Sequence, residues 1–94
     1  MSGKLPINSN QYFSIDQTIT NDQGTQSFPF RLTRLLDIIR NDGPDEAAVS
    51  LDGGAEIPLL AGDYIGPWDG FQCSTISMLC KTQGGNCRIR ALGV

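Results

Sequence analysis

The chain has 94 residues, of which 39% are hydrophobic and 18% are charged, and a chain of this length forms one domain around a single core. Its net charge is −3, because seven Lys and Arg are outnumbered by ten Asp and Glu. We therefore expect no nucleic-acid partner, since binding to phosphates needs a basic patch. The absence of His removes the commonest general base and the commonest zinc ligand.

The first ten residues differ in character from the rest of the chain. Residues 1–10 are polar, contain Pro6 and show the periodicity of neither a helix nor a strand. We interpret them as an N-terminal arm that is ordered only where it lies on a partner, and residues 11–94 as a single β domain. Leu5 and Ile7, two apolar side chains of the arm, are candidate interface residues. We expect no signal peptide and no membrane span, because no apolar run approaches roughly 18 residues.

The next segments indicate strands, with one ambiguity. Residues 11–20 interleave strand-forming and polar side chains, and Asn21-Asp22-Gln23-Gly24 closes this run as a turn. The segment from Phe28 to Arg40 fits a strand but also carries a stripe typical of a short helix, formed by Leu32, Leu35, Leu36 and Ile39. We favour a strand because the surrounding segments are all β-like. Asn41-Asp42-Gly43-Pro44, which follows, we interpret as a hairpin-style end to that strand.

The second half of the chain alternates short strands with turns. Its strand-like segments are Ala48–Leu51, Glu56–Leu60, Tyr64–Ile65, Phe71–Lys81 and Cys87–Ala91. In the last two, Ile76, Met78, Cys80, Cys87, Ile89 and Ala91 are predicted to face the core, with Arg88 and Arg90 facing outward. Gly53-Gly54 and Gly84-Gly85 are read as hairpin turns. The sequence therefore predicts an all-β fold, a small β-sandwich or partly open barrel of about six to eight short antiparallel strands.

Three cysteines, Cys73, Cys80 and Cys87, recur at a spacing of seven. They form no CxxC pair, and without His a zinc site would lack its usual fourth ligand. If Thr82–Gly85 is a four-residue hairpin loop, Cys80 lies opposite Cys87 and a disulfide between them stays open. We expect three reduced, mostly buried thiols and no bound metal.

The acidic residues around the central turns do not form a recognisable site. Asp42, Asp45, Glu46 and Asp52 lack the spacing of an EF-hand calcium loop, and we interpret them as solvated turn residues. No cofactor and no enzyme activity are expected, because no constellation of nucleophile, base and orienting group is visible.

Trp68 lies in the segment Gly66-Pro67-Trp68-Asp69-Gly70, which we read as a short stiff loop between strands. Its side chain has three alternative roles: an anchor at a subunit interface, a cap on one end of the core, or a stacking platform for a sugar. Trp68 and Pro67 are therefore candidate interface residues, in addition to Leu5 and Ile7.

The stretch from Ile39 to Val94 carries a resemblance. Its elements are Ala-Val-Ser-Leu-Asp-Gly-Gly at residues 48–54, Ile-Pro-Leu-Leu-Ala-Gly-Asp at residues 57–63, and the final strand Cys-Arg-Ile-Arg-Ala-Leu-Gly-Val at residues 87–94. In these turns and strand starts it resembles the small β-sandwich structural proteins of tailed bacteriophages. The resemblance involves scaffold positions only and assigns no functional residue, and the 28–40 segment and the three cysteines depart from the pattern.

The resemblance implies a non-enzymatic component of the virion, made in the host cytoplasm. Its leading form is a capsid decoration (cement) protein that binds the major capsid protein on the outer shell as a homo-oligomer, with a trimer as one option. The alternatives are a tail, neck or fibre-base component contacting other virion subunits, and, from a different class, a carbohydrate-binding β-sandwich module stacking sugars on Trp68, Tyr64 and Tyr12.

Overall fold

The computed structural model describes residues 12–94. The predicted arm at residues 1–10, with Leu5 and Ile7, lies outside the described residues, so its role stays a prediction. The described part of the chain contains nine strands and one short 3-10 helix, Asn21–Gln23. The strands are β1 (Phe13–Thr20), β2 (Gln26–Leu32), β3 (Leu35–Pro44), β4 (Ala47–Leu51), β5 (Ile57–Leu59), β6 (Tyr64–Ile65), β7 (Trp68–Asp69), β8 (Cys73–Cys80) and β9 (Asn86–Gly93).

The strands form two antiparallel sheets that pack face to face. In the first, called sheet I, the order is β1-β9-β3, and both β6 and β7 pair with the remaining edge of β3. In the second, called sheet II, the order is β2-β8-β4-β5. The predicted all-β class and small β-sandwich are confirmed. The described residues form nine strands, more than expected, because the 28–40 segment belongs to two strands and Trp68–Asp69, predicted to be a loop, is a strand.

The ambiguous segment at residues 28–40 is extended, as favoured, and the helix alternative is wrong. It is not one strand, however, because β2 belongs to sheet II and β3 to sheet I, and the chain changes sheets at Thr33 and Arg34. The backbone N–H groups of Arg34 and Leu35 donate to the carbonyl of Val94 at 2.9 and 2.8 Å, which holds this corner against the end of the chain. A register shift in β3 between Leu36 and Ile38 changes the phase of alternation, and this explains why Leu36 and Ile39, three residues apart, are both buried.

Two turns that we read as hairpins are corners between the sheets. The strand β3 continues through Pro44 and the chain then crosses from sheet I to β4 in sheet II. Similarly, Gly84-Gly85 connects β8 of sheet II to β9 of sheet I. The turn after β4 is a hairpin as predicted: Asp52 and Gly53 both have positive φ, and the N–H of Gly54 donates to the carbonyl of Leu51 at 3.0 Å.

The core lies between the sheets and is built by alternation. The side chains of Ile76, Met78 and Cys80 on β8 face those of Cys87 and Ile89 on β9, and all are fully buried, which confirms the predicted orientation of these strands. The remaining core side chains are Ile19, Phe30, Leu32, Leu36, Ile39, Ala47, Val49, Leu59, Cys73 and Ala91.

Asn41 is the buried polar residue among these apolar neighbours. Its Nδ2 donates to the carbonyl oxygens of Asp45 and Leu59, each at 2.8 Å, and its Oδ1 accepts the N–H of Gly43 at 2.8 Å. Gly43, with φ of 87°, lies so close to the turn after β5 that a Cβ there would approach that of Ala61 to 2.9 Å. The Asn41 side chain thus ties β3 of sheet I to β5 of sheet II where the chain crosses between them.

We predict that Asn41→Ala lowers the free energy of unfolding by about 3 kcal/mol, because two buried carbonyls lose a donor and one buried N–H loses its acceptor. Urea unfolding followed by circular dichroism measures this loss. The control is Asn86→Ala, which removes the same groups from an exposed position and should change the stability by less than about 0.5 kcal/mol. Equal effects of the two substitutions would contradict the role given to Asn41.

Candidate functional site: the outer faces of the sandwich

The outer face of sheet II is organised in rows across its strands. Ser27 of β2, Ser77 of β8 and Ser50 of β4 are cross-strand partners and share this face, and the hydroxyls of Ser27 and Ser77 lie 2.8 Å apart. On one side of this row Leu79, Ala48 and Pro58 are aligned in the same way. On the other side Pro29 pairs with Thr75.

These positions together form a surface without charge, which we call the neutral face. Its members are Ser27, Pro29, Ser50, Pro58, Thr75, Ser77 and Leu79, and Ala48, in the same row, is buried. Charged groups lie at its ends: the Lys81–Glu56 ion pair at one, with Nζ and Oε1 3.4 Å apart, and Asp52 and the exposed Arg31 of β2 at the other. A patch free of charge with charged groups around it has the charge distribution of a protein interface, whose centre is depleted of charged residues.

The outer face of sheet I has the opposite chemistry. Arg88 and Arg90 point outward from β9, as predicted, and Arg40 lies beside Arg90 on β3. The guanidinium of Arg88 donates two hydrogen bonds to the carboxylate of Asp16, from Nε to Oδ1 at 2.9 Å and from Nη2 to Oδ2 at 2.6 Å. Asp42 lies between Arg40 and Arg90 and pairs with both. We call these five residues the ion-paired face.

Hydrogen bonds from the guanidinium groups hold the carboxylates of this face in their charged form. The bonds from Arg88 lower the pKa of Asp16, and that from Arg90 lowers the pKa of Asp42. Each arginine is therefore bound to a carboxylate within the same sheet, and Asp42 is shared by two of them. The ion-paired face has three arginines and two aspartates, and no arginine on it is without a carboxylate partner.

The acidic residues of the central turns bind the backbone of the protein, so their interpretation as merely solvated residues is incomplete. Asp52 accepts the N–H groups of Ser74 and Thr75 at 2.7 and 2.9 Å, and these hydrogen bonds lower its pKa. Asp45 accepts the N–H of Asn86 at 2.9 Å. Within residues 12–94, no three Cys, Asp or Glu side chains lie together as metal ligands would.

Trp68 lies on β7, not in a loop, and is paired with Leu36 at the edge of sheet I. Its ring contacts that of Phe71, with centroids 5.3 Å apart, and Phe71 packs on the core. The indole is nevertheless 39% exposed, and the adjacent Pro67 is exposed as well. The structure therefore gives Trp68 one face on the protein and leaves the other open.

The three aromatic residues considered for sugar stacking do not form one platform. Tyr64 pairs with Arg40 and so lies on the outer side of sheet I, whereas Trp68 pairs with the inward-facing Leu36. Tyr12 precedes β1, which is separated from β6 by β9 and β3, a distance of about 14 Å at the usual strand spacing.

The three thiols are free and buried, as predicted. Cys80 and Cys87 are not opposed across a hairpin, because β8 and β9 belong to different sheets, and they face each other across the core instead. The Cys87 thiol donates to the carbonyls of Asp45 and Glu46 at 3.1 and 3.3 Å. Burial raises the pKa of Cys73 and, together with the neighbouring Cys80 thiol, raises that of Cys87 to about 12.

We predict that the native protein does not react with iodoacetamide at pH 8, because burial blocks access and the raised pKa values of Cys73 and Cys87 leave little thiolate. Intact-mass analysis should show no adduct in buffer and three adducts in 6 M guanidinium chloride. Rapid alkylation of the folded protein would show that a thiol is accessible and contradict this prediction.

No membrane-spanning helix is present among the described residues, since none of their helical segments is long and apolar enough. Comparison of the chain with protein-family models, with curated proteins and with solved structures finds no match in any of the three. The functional interpretation therefore depends on the surfaces described above.

Proposed function

We propose that this chain is a non-enzymatic structural protein of a bacteriophage virion, a capsid decoration protein that binds the outer shell through its neutral face. The observation that carries the proposal is the contrast between the two outer faces of the sandwich. Removing charged side chains from water is costly, so the face without charge is the one that can be covered most cheaply. Its partner in this proposal is the major capsid protein or another subunit of the virion.

The shape of the neutral face suits a flat partner. Its side chains are short, and the serine and threonine hydroxyls can exchange hydrogen bonds with water for hydrogen bonds with a partner. The part of the sequence that resembles phage proteins includes β4, its Asp52-Gly53 turn and β5, which together form one edge of this sheet. The same resemblance also includes β9 of sheet I and involves scaffold positions, so it supports a virion role and does not distinguish the two faces.

The size of the neutral face favours several copies acting together. Four strands and the span from Thr75 to Leu79 give a footprint of roughly 14 by 14 Å. This is well below the ~800 Å² per partner of a standard interface. A single chain would therefore bind weakly, and we propose that it acts as a homo-oligomer whose copies bind the shell simultaneously.

The alternative functions can be compared by the surface that each would use. A tail, neck or fibre-base subunit would use the same neutral face against a different virion partner. A carbohydrate-binding module is less well supported, because Tyr12, Tyr64 and Trp68 do not lie on one surface. Trp68 and Pro67 remain a candidate second contact at the edge of sheet I.

The test is to place a charge at the centre of the neutral face. Ser77→Lys and Ser77→Asp should each reduce co-sedimentation with shells of the major capsid protein at least tenfold, or about 1.4 kcal/mol, because either charge would be desolvated on docking. Tyr64→Lys adds the same charge to the outer side of sheet I, where Tyr64 is 60% exposed, and should leave binding unchanged. The circular dichroism spectra should match that of the unmodified protein.

Two outcomes would count against this proposal. Binding that survives both Ser77 variants excludes the neutral face. Loss of binding with Tyr64→Lys alone points to the outer side of sheet I. If this variant also loses retention on immobilised glycans, the result points to the carbohydrate module.

Trp68→Ala tests the second contact. A tenfold loss of binding with the fold intact supports this contact, whereas unfolding shows that the Trp68–Phe71 pair belongs to the core.

A further inference from the structure

The edge strands of the two sheets differ in how well they are protected against pairing with another chain. The edge strand β2 contains Pro29 and has a register shift beyond it. The edge strand β5 has only three residues and contains Pro58. The strands β6 and β7 have two residues each and are separated by Gly66-Pro67. Proline, shortness and irregularity are the devices by which natural proteins keep sheet edges from associating.

The remaining edge strand, β1, has none of these devices. Its eight residues keep an unbroken register with β9, from Phe13 opposite Gly93 to Thr20 opposite Asn86. It contains no Pro, Lys or Arg, and its one charged residue, Asp16, is bound by Arg88. Among residues 12–94, no strand pairs with the other edge of β1. A long, regular edge strand of this kind is a template for another strand.

The core-facing side chains of β1 are incompletely covered, which is a second and independent sign. By alternation with the buried Ile19, the side chains of Phe13, Ile15 and Gln17 are directed to the inner side of sheet I. Phe13 is 41% exposed, Ile15 is half-buried and Gln17 is exposed. Apolar surface at this edge is therefore open to a neighbour, in contrast to Ile19, which is 2% exposed.

We propose that two copies of this chain pair through β1, antiparallel, about a two-fold axis that passes through Gln17. The axis is perpendicular to the sheet, so residues that lie opposite each other across it point to the same side of the sheet. Side chains alternate along a strand, so two opposite residues must be an even number of positions apart in the sequence. The axis therefore passes through a residue and not between two residues. Axes through the two central residues of the strand, Asp16 and Gln17, are the ones that retain most of β1 in the pairing.

The sequence of β1 distinguishes these two registers. An axis at Asp16 places two carboxylates directly opposite each other, which is destabilising. An axis at Gln17 places Ile15 opposite Ile19 of the second copy on the inner side. On the outer side it places Asp16 opposite Thr18 and Ser14 opposite Thr20 of the second copy. Every pair among residues 14–20 in this register is apolar with apolar or polar with polar, and Phe13 lies beyond the paired residues.

The resulting dimer joins the two copies of sheet I into one continuous sheet. Because a two-fold axis perpendicular to the sheet keeps each outer face on its own side, both neutral faces would lie on the same side of the dimer. The dimer uses the free edge of β1 and not the neutral face, so it does not depend on the proposed virion function.

The test uses charge reversal at the axis. Gln17→Lys and Gln17→Glu each place like charges opposite each other across the dimer, so the dissociation constant measured by sedimentation equilibrium should rise at least tenfold for either variant alone. An equimolar mixture of the two variants should restore dimers, now with opposite charges in contact. The matched control is Gln83→Lys, the same change at an exposed position in the turn between β8 and β9, and it should dimerise like the unmodified protein.

The experiment needs no virion, so its failure is distinguishable from failure of the proposed function. The proposal is overturned if the unmodified protein is a monomer at about 1 mM or a trimer, or if Gln17→Lys dimerises as well as Gln83→Lys. It is also overturned if mixing the two Gln17 variants does not restore dimers although each is folded by circular dichroism. Restoration on mixing supports both the strand and the register.

Discussion

The hydrogen bonds of the Asn41 side chain are the interaction on which the arrangement of the two sheets depends. Asn41 belongs to β3 of sheet I, yet it donates to the carbonyl of Leu59 in sheet II and to that of Asp45 at the crossing between them. Its own backbone is bonded to the turn after β5, with its N–H donating to Asp63 at 3.0 Å and its carbonyl accepting from Gly62 at 2.7 Å. Because a buried amide must satisfy all these groups, the position of one sheet on the other is fixed at this end of the sandwich.

Once the sheets are fixed, strict alternation determines what each outer face carries. The same strands that bury Ile76 and Met78 present Thr75 and Ser77 outward, and the strand that buries Ile89 presents Arg88 and Arg90. The result is a sandwich with chemically distinct sides: a neutral face on sheet II and an ion-paired face on sheet I. The edge at β1 adds a third surface. In our account, docking and self-association are thus assigned to separate parts of a very small protein.

Local patterns in the sequence were sufficient to predict the class of fold and the orientation of its clearest strands. The alternation of β8 and β9 indicated their inward and outward residues correctly. The connections were harder, because turn residues indicate that the chain bends and not whether it stays in the same sheet. Asn41–Pro44 and Gly84-Gly85 both change sheets, which their turn residues do not indicate. A register shift between Leu36 and Ile38 breaks the alternation of the 28–40 segment.

The surfaces depended on pairings that no local pattern contains. The ion-paired face joins Asp16 to Arg88, 72 residues apart in sequence, and the serine row joins strands that are distant along the chain. The outward orientation of Thr75 and Ser77 was visible in the alternation of β8. That their neighbours on β2 and β4 are also uncharged became clear only from the strand order. Trp68, in contrast, was a candidate interface residue from the sequence alone. Its place on the edge strand β7, and not in a loop, follows from the pairing with Leu36.

Site-specific alkylation of single added cysteines, in the free protein and in the protein bound to the shell, shows which outer face the shell covers. Thr75→Cys marks the neutral face and Tyr64→Cys the outer side of sheet I, and both positions are exposed, whereas the three native thiols are buried. If the neutral face binds the shell, both added thiols react rapidly in the free protein, and on shells of the major capsid protein only the cysteine at position 75 is protected. Protection of the cysteine at position 64, with position 75 still reactive, would contradict it.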